Sequence, residues 1–80
     1  MGKMSIGSAM SSLKVLFGKR VRELRQQQGM TQLQLAVKIG LTREEINRIE
    51  QGLFGPRFES IEELSHELHV PVWQLFYFDP

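Results

Sequence analysis

The sequence contains no cysteine, which excludes disulfide bonds and cysteine-ligated zinc sites and suits a reducing compartment. No run of apolar residues reaches the roughly 18 that a membrane-spanning helix requires. The first twelve residues, MGKMSIGSAMSS, lack the apolar core of a signal peptide, and Ile6 stands where a myristoylation signal has Ser or Thr. We therefore expect a cytoplasmic protein with no membrane partner.

Patterns typical of catalysis are also missing from the sequence. His66 and His69 lie three residues apart, but no further ligands converge on them, so we interpret them as solvated or weakly structural rather than metal-binding. The sequence shows no Ser-His-Asp set, no glycine-rich phosphate loop and no paired buried carboxylates. We expect no enzymatic activity, no cofactor and no metal.

Charge is unevenly distributed, although the net charge is only +1. Residues 1–48 carry nine Lys and Arg against three acidic residues, a net charge of +6, whereas residues 49–80 carry one Arg against six acidic residues, a net charge of −5. This asymmetry predicts one surface that faces a polyanion and an acidic far side. The alternative is that the charges divide in this way by chance. A chain of 80 residues makes one small domain.

Helical spacing of apolar residues predicts an all-α domain of five helices. Residues 1–12 have no such spacing, so we interpret them as a flexible N-terminal arm and residues 13–80 as the folded domain. Ser11 or Ser12 is expected to cap the first helix, whose apolar stripe is Leu13, Phe17, Val21 and Leu24. The fourth helix begins either at Ser60, in a capping box with Glu63, or near Arg57, which would make Phe58 its first core residue.

Two short helices are predicted in the middle of the chain. Thr31 with Gln34, and Thr42 with Glu45, fit the capping-box pattern at the start of each helix. Gly40 ends the first of them, and so short a turn containing glycine joins two helices at about 90–120°. The other short helix is the third helix of the domain. Its exposed face, opposite its apolar residues, consists of Arg43, Glu44, Asn47 and Arg48. These residue types read base edges in DNA, although a solvated face would look the same.

Glu50 is a carboxylate at the end of the third helix, where the helix dipole disfavours negative charge. It needs a positive partner, and Arg25 near the end of the first helix is the candidate. A bidentate pair between them would be a structural salt bridge that ties the two helices together.

The segment MTQLQLAVKIGLTREEINRIEQG, with Arg25 upstream and Pro56 downstream, resembles the phage repressor and Cro (XRE) family of helix-turn-helix DNA-binding domains. The resemblance covers roughly residues 15–76 and implies a compact five-helix, lambda repressor-like fold. It implies a recognition helix from Thr42 to Glu50 in the major groove of double-stranded DNA. The residues it implies in DNA binding are Gln32, Thr42, Arg43, Glu44, Asn47, Arg48 and Arg57. Further phosphate contacts would come from Arg20, Arg22 and Lys38.

The sequence departs from the family pattern at three places. Leu53 and Phe54 stand where relatives often have Lys or Arg, and His69 stands where Gly is common. Leu33 and Val37 replace polar residues on the outer face of the second helix.

The resemblance also implies a homodimer formed near the fifth helix, with a predicted interface of Val70, Pro71, Trp73 and Tyr77. Of the apolar side chains there, Val72, Leu75 and Phe76 are expected to face inward, which leaves Trp73 on the other side. The aromatic residues mark either a partner surface or a tail folded over the core. We predict a sequence-specific transcriptional regulator: a stand-alone repressor, a restriction-system controller or an antitoxin. The alternative is a protein-interaction module on the same fold with weak DNA affinity.

Overall fold

The computed structural model describes the backbone of residues 6–79 and the side chains of residues 13–79. Its helices are α1 (Ile6–Gln27), α2 (Gln32–Ile39), α3 (Arg43–Glu50), α4 (Phe58–Glu67) and α5 (Val72–Leu75). No strand occurs within the described backbone, so the all-α, five-helix prediction is confirmed. None of the described helices is long and apolar enough to cross a membrane.

Helix α1 begins at Ile6, before the predicted cap at Ser11 or Ser12. The prediction was wrong because Ser and Gly disfavour an exposed helix by no more than about 1 kcal/mol each, too little to stop it. Residues 1–5 of the proposed arm lie outside the described part of the chain. The division into an arm of residues 1–12 and a domain of residues 13–80 therefore stays a prediction.

The core draws residues from all five helices. Its largest fully buried side chains are Val21, Leu35, Ile46, Ile49, Leu64, Leu68 and Leu75. Leu13 was predicted to join them but is 54% exposed, because it lies one turn before Phe17 at the open end of the core. Val72 and Phe76 were predicted to face inward, yet both are about 40% exposed because the single turn of α5 buries only Leu75 fully.

Helix α4 begins at Phe58, with Arg57 as its N-cap residue and no side-chain cap. Of the two predicted starts, the one near Arg57 is confirmed and the Ser60–Glu63 capping box is not formed. Phe58 is nevertheless not a core residue, because its side chain is 83% exposed. At the first position of α4 its ring projects past the end of the core, whereas Leu64 further along is fully buried.

Gly18 allows α1 and α3 to pack backbone against backbone. A Cβ atom at this position would lie 2.2 Å from the carbonyl oxygen of Ile49 and 2.8 Å from that of Glu50. No side chain fits at that separation, so only glycine permits this crossing. The contact fixes α3 against the long helix and thereby determines which side of α3 faces solvent.

Candidate nucleic-acid interface

Both predicted capping boxes are formed, and they fix the first turns of α2 and α3. The hydroxyl of Thr31 accepts the amide N–H of Gln34 at 3.0 Å, and the Gln34 side-chain oxygen accepts the amide N–H of Thr31 at 2.8 Å. Thr42 and Glu45 repeat the arrangement at 3.0 and 2.8 Å. These reciprocal bonds satisfy amide groups that a helix start otherwise leaves free.

The turn between α2 and α3 contains only residues 40–42. Gly40 adopts a left-handed conformation with φ of 73°, which glycine reaches without steric cost. The amide groups of Gly40 and Leu41 both donate to the carbonyl oxygen of Ala36, closing the end of α2. The chain then enters α3 at once, so the two helices form a compact helix-turn-helix unit.

Helix α3 is buried on one side and charged on the other. Ile46 and Ile49 are fully buried, whereas Arg43, Glu44 and Arg48 are exposed. None of these three charged residues forms an ion pair with another residue of the described chain. The outer side of α3 therefore presents two guanidinium groups and one carboxylate whose hydrogen-bonding capacity is available to an external partner.

The expected salt bridge between Arg25 and Glu50 is present beneath this face. The Arg25 Nε atom donates to Glu50 Oε2 at 2.6 Å, and Nη2 donates to Oε1 at 3.0 Å. Both residues are more than 90% buried. Arg25 Nη1 also donates to the carbonyl oxygen of Met30 at 2.7 Å. One arginine of α1 thus holds the end of α3 and the segment leading into α2.

Gln32 extends this network through contacts that the sequence did not reveal. Its Nε2 atom donates to Glu50 Oε1 at 3.0 Å and to Asn47 Oδ1 at 3.2 Å. An amide nitrogen has two hydrogens, so both donors of Gln32 are engaged inside the protein. Nothing in the spacing of these three residues signals the contact. Two residues assigned to DNA binding, Gln32 and Asn47, are thereby joined to the structural salt bridge.

The other basic residues expected to contact DNA are either exposed or hydrogen-bonded within the protein. Arg57 is exposed and follows the loop after α3, while Arg22 and Lys38 are exposed on α1 and α2. Arg20 differs from these: its Nε atom donates to the carbonyl oxygen of Gln74 at 2.8 Å. These contacts disfavour a phosphate contact by Arg20, because its guanidinium group ties α1 to α5, pairs with Glu23 and is largely buried.

Similarity to known proteins agrees with this geometry. A family model described as helix-turn-helix matches residues 21–72. An uncharacterized HTH-type transcriptional regulator of Archaeoglobus fulgidus is 37% identical over 60 residues, which are 75% of this chain and 86% of the relative. The HTH-type transcriptional regulator PuuR of Escherichia coli is 43% identical over 47 residues, which are 59% of this chain and 25% of that protein.

Solved structures show the same fold. The restriction-modification controller protein C.AhdI from Aeromonas hydrophila superposes with a TM-score of 0.76 at 35% identity, covering 79% of this chain and 96% of the controller protein. The hypothetical transcription factor NHTF from Neisseria gives a TM-score of 0.79 at 25% identity, covering 86% of this chain and 78% of NHTF. The chain therefore belongs to the phage repressor and Cro (XRE) type of the helix-turn-helix family, a family of DNA-binding transcriptional regulators.

Proposed function

We propose that this DNA-binding transcriptional regulator recognises a specific sequence as a homodimer, with α3 in the major groove of double-stranded DNA. The observation that carries the proposal is the exposed face of α3. Arg43, Glu44 and Arg48 project from a helix whose opposite side is fully buried and whose last residue, Glu50, is anchored by two hydrogen bonds from Arg25. Rigid support of this kind favours readout of bases, since a mobile helix would lose entropy on binding.

Each exposed side chain has a chemical role in this proposal. Arg43 and Arg48 donate to guanine, and Glu44 accepts from the amino group of cytosine. The Oδ1 atom of Asn47 already accepts from Gln32, which leaves its amide N–H groups to reach an acceptor at the edge of the interface.

The other proposed DNA-binding residues position the helix. Thr42 and Arg57 bind phosphate groups, since both are exposed at the starts of α3 and α4. Gln32 binds phosphate only by exchanging one of the hydrogen bonds that it donates to Asn47 and Glu50.

The proposed dimer contact lies on α5 and the turn before it. Trp73 and Tyr77 are 62% and 52% exposed, and their rings pack edge to face with centroids 6.4 Å apart. Pro71 is exposed beside them, while Val70 packs partly against the core. A two-fold pairing of this surface would present two copies of α3 about 34 Å apart, one turn of DNA.

Binding to mixed-sequence duplex DNA across a salt series tests the proposal. We expect fluorescence anisotropy to show affinity that falls with salt, with a log–log slope of roughly −3 or steeper, because several phosphates are engaged. Selection of an operator from random sequences would follow. Absence of binding even at low salt would contradict the proposal and leave the charges of α3 as a solvated face.

The alternative, a protein-interaction module, would use exposed apolar side chains outside α3. Leu33 and Val37 on α2 are 55% and 71% exposed, and Leu53 and Phe54 follow α3 with 67% and 42% exposure. Trp73 is a further exposed residue of this kind. The similarity to transcriptional regulators does not favour this alternative, which predicts that a partner binds equally well after the loss of Arg43 or Arg48.

A further inference from the structure

An apolar groove of about 230 Å³ lies between α1, α4 and the loop that joins α3 to α4. Its walls are formed by Leu13 and Phe17 of α1, Phe54 of the loop, Ile61 of α4 and Phe76 after α5. Among the side chains that the structure describes, Lys14 is the only charged one that lines it. Phe17 and Phe76 pack against each other with ring centroids 5.0 Å apart, so one wall of the apolar groove is held firmly.

Phe58 stands at the rim of the apolar groove and is 83% exposed, more than any other large hydrophobic residue described. A projecting aromatic ring beside an open apolar groove is self-complementary, because in a pair of identical chains the ring of each can fill the groove of the other. A two-fold axis beside Phe58 would place each ring in the groove of the other subunit, as a symmetric interface requires. The occupant of the apolar groove that fits both features is a second copy of the chain.

Charges around the apolar groove also fit a second copy. Glu62 follows Phe58 by one turn of α4, so the two side chains lie on the same face of the helix. Glu62 is exposed and forms no ion pair with another residue of the described chain. Lys14 lines the groove, so an inserted Phe58 would bring Glu62, one turn further along α4, toward Lys14 of the partner subunit. Symmetry produces this pair of opposite charges twice.

The apolar groove is contiguous with the proposed dimer contact on α5. Phe76, a wall of the groove, follows Trp73 by three positions and directly precedes Tyr77. The exposed parts of the aromatic residues Phe54, Phe58, Trp73, Phe76 and Tyr77 amount to roughly 550 Å² per subunit. This approaches the roughly 600 Å² per partner at which stable interfaces begin.

We propose that the homodimer contact extends from α5 into the apolar groove, and that Phe58 of each subunit inserts into the groove of the other. The inference rests on the proposed function, which requires a homodimer, and it assigns the anchor residue of that dimer. Phe58 thereby belongs to the centre of the interface, with Glu62 and Lys14 at its edge.

The first test replaces Phe58 by Ala and measures the monomer–dimer constant by sedimentation equilibrium without DNA. We expect dimerisation to weaken by at least about 30-fold, because a central aromatic anchor is lost twice in a symmetric dimer. Val37→Ala is the matched control, since Val37 is 71% exposed on α2 away from the groove. It should leave the constant unchanged, and circular dichroism should show that both variants fold.

The second test exchanges charges at the edge of the interface. Lys14→Glu and Glu62→Lys should each weaken dimerisation about 5-fold, and the double variant should return to within about threefold of the original, because it restores the opposite-charge pair. Rescue of this kind requires that the two side chains meet across the interface. Absence of rescue would overturn the Lys14–Glu62 pairing.

The outcomes separate this inference from the proposed function. Unchanged dimerisation of the Phe58 variant would overturn the groove contact and leave the homodimer proposal standing, with Trp73→Ala to locate the interface on α5. An original protein that is monomeric at tens of micromolar, roughly the range in which weak dimers form, would overturn both. The salt dependence of DNA binding is measured on the original protein, so it tests DNA contact apart from the substitutions at the groove.

Discussion

The exposed face of α3 and the apolar groove are both open to partners, but they are built in different ways. The face of α3 comes from one continuous helix, and the residues behind it are tied by the buried Arg25–Glu50 pair. The apolar groove is assembled from four separate segments of the described chain, and one charged side chain, Lys14, is found among its described lining residues. A charged surface on a rigid support suits base readout, whereas an apolar surface with a projecting ring suits a second subunit. The two proposals thus place DNA contact and dimer contact on different surfaces of one small domain.

Replacing Glu50 by Ala should have the largest effect of the substitutions considered, a loss of folding stability. It removes the support of α3 and leaves Arg25 as a buried unpaired charge. Loss of one partner of a buried pair costs about 3–5 kcal/mol, a large share of the stability of a domain this size. Urea denaturation would measure the change. Glu63→Ala, an exposed carboxylate on α4, is the control and should change stability by less than about 0.5 kcal/mol. A loss below about 1 kcal/mol for the Glu50 variant would show that α3 does not depend on the pair.

Gly18→Ala should destabilise the fold by about 3 kcal/mol, because the added methyl group overlaps the carbonyl oxygens at the end of α3. Thermal unfolding would detect this, with Gly55→Ala as the control, since a Cβ atom at Gly55 meets nothing within 4 Å. Equal stability of the two variants would mean that α1 and α3 can separate slightly at no cost. The close packing would then not be what orients α3.

Arg48→Ala tests the face of α3 without touching its support. Arg48 is exposed, so stability should stay the same while affinity for the selected operator falls by about 1–3 kcal/mol. Anisotropy on cognate and altered duplexes would show whether discrimination at one base pair is relaxed. Arg22→Ala, at an exposed position of α1, should weaken binding to all sequences alike or leave it unchanged. An unaltered affinity for the operator would refute the recognition-helix proposal.

His69→Gly should have the smallest effect on stability. His69 lies shortly before α5, on the side of the molecule that carries the proposed dimer contact. His69 is the only described residue other than glycine with positive φ, at 60°, where a side chain is strained. Glycine removes that strain but adds freedom to the unfolded chain, so we expect a net gain of about 0.5 kcal/mol in chemical denaturation. DNA binding should not change. A loss of stability would show that the His69 side chain contributes contacts that outweigh its backbone strain.

Residue types in the sequence were enough to predict the two helix starts and the salt bridge that position α3. The capping boxes of Thr31 and Thr42 join residues three apart, so the residue types alone indicate where α2 and α3 begin. The Arg25–Glu50 pair spans 25 residues, yet it was predicted because a carboxylate at a helix end needs a positive partner. In each case the chemistry of one residue restricts the identity of its partner.

Tertiary structure alone decided the remainder. The bond from Arg20 to Gln74 spans 54 residues, and the contacts of Gln32 with Asn47 and Glu50 depend on how α2 crosses α3. The exposure of Phe58 depends likewise on where α4 begins relative to its neighbours. Apolar spacing determines which side of a helix turns inward, but it does not encode the crossing angle or offset of two helices. The crossing angle and the offset depend on the packing of all the side chains at once, and therefore so does the apolar groove beside Phe58.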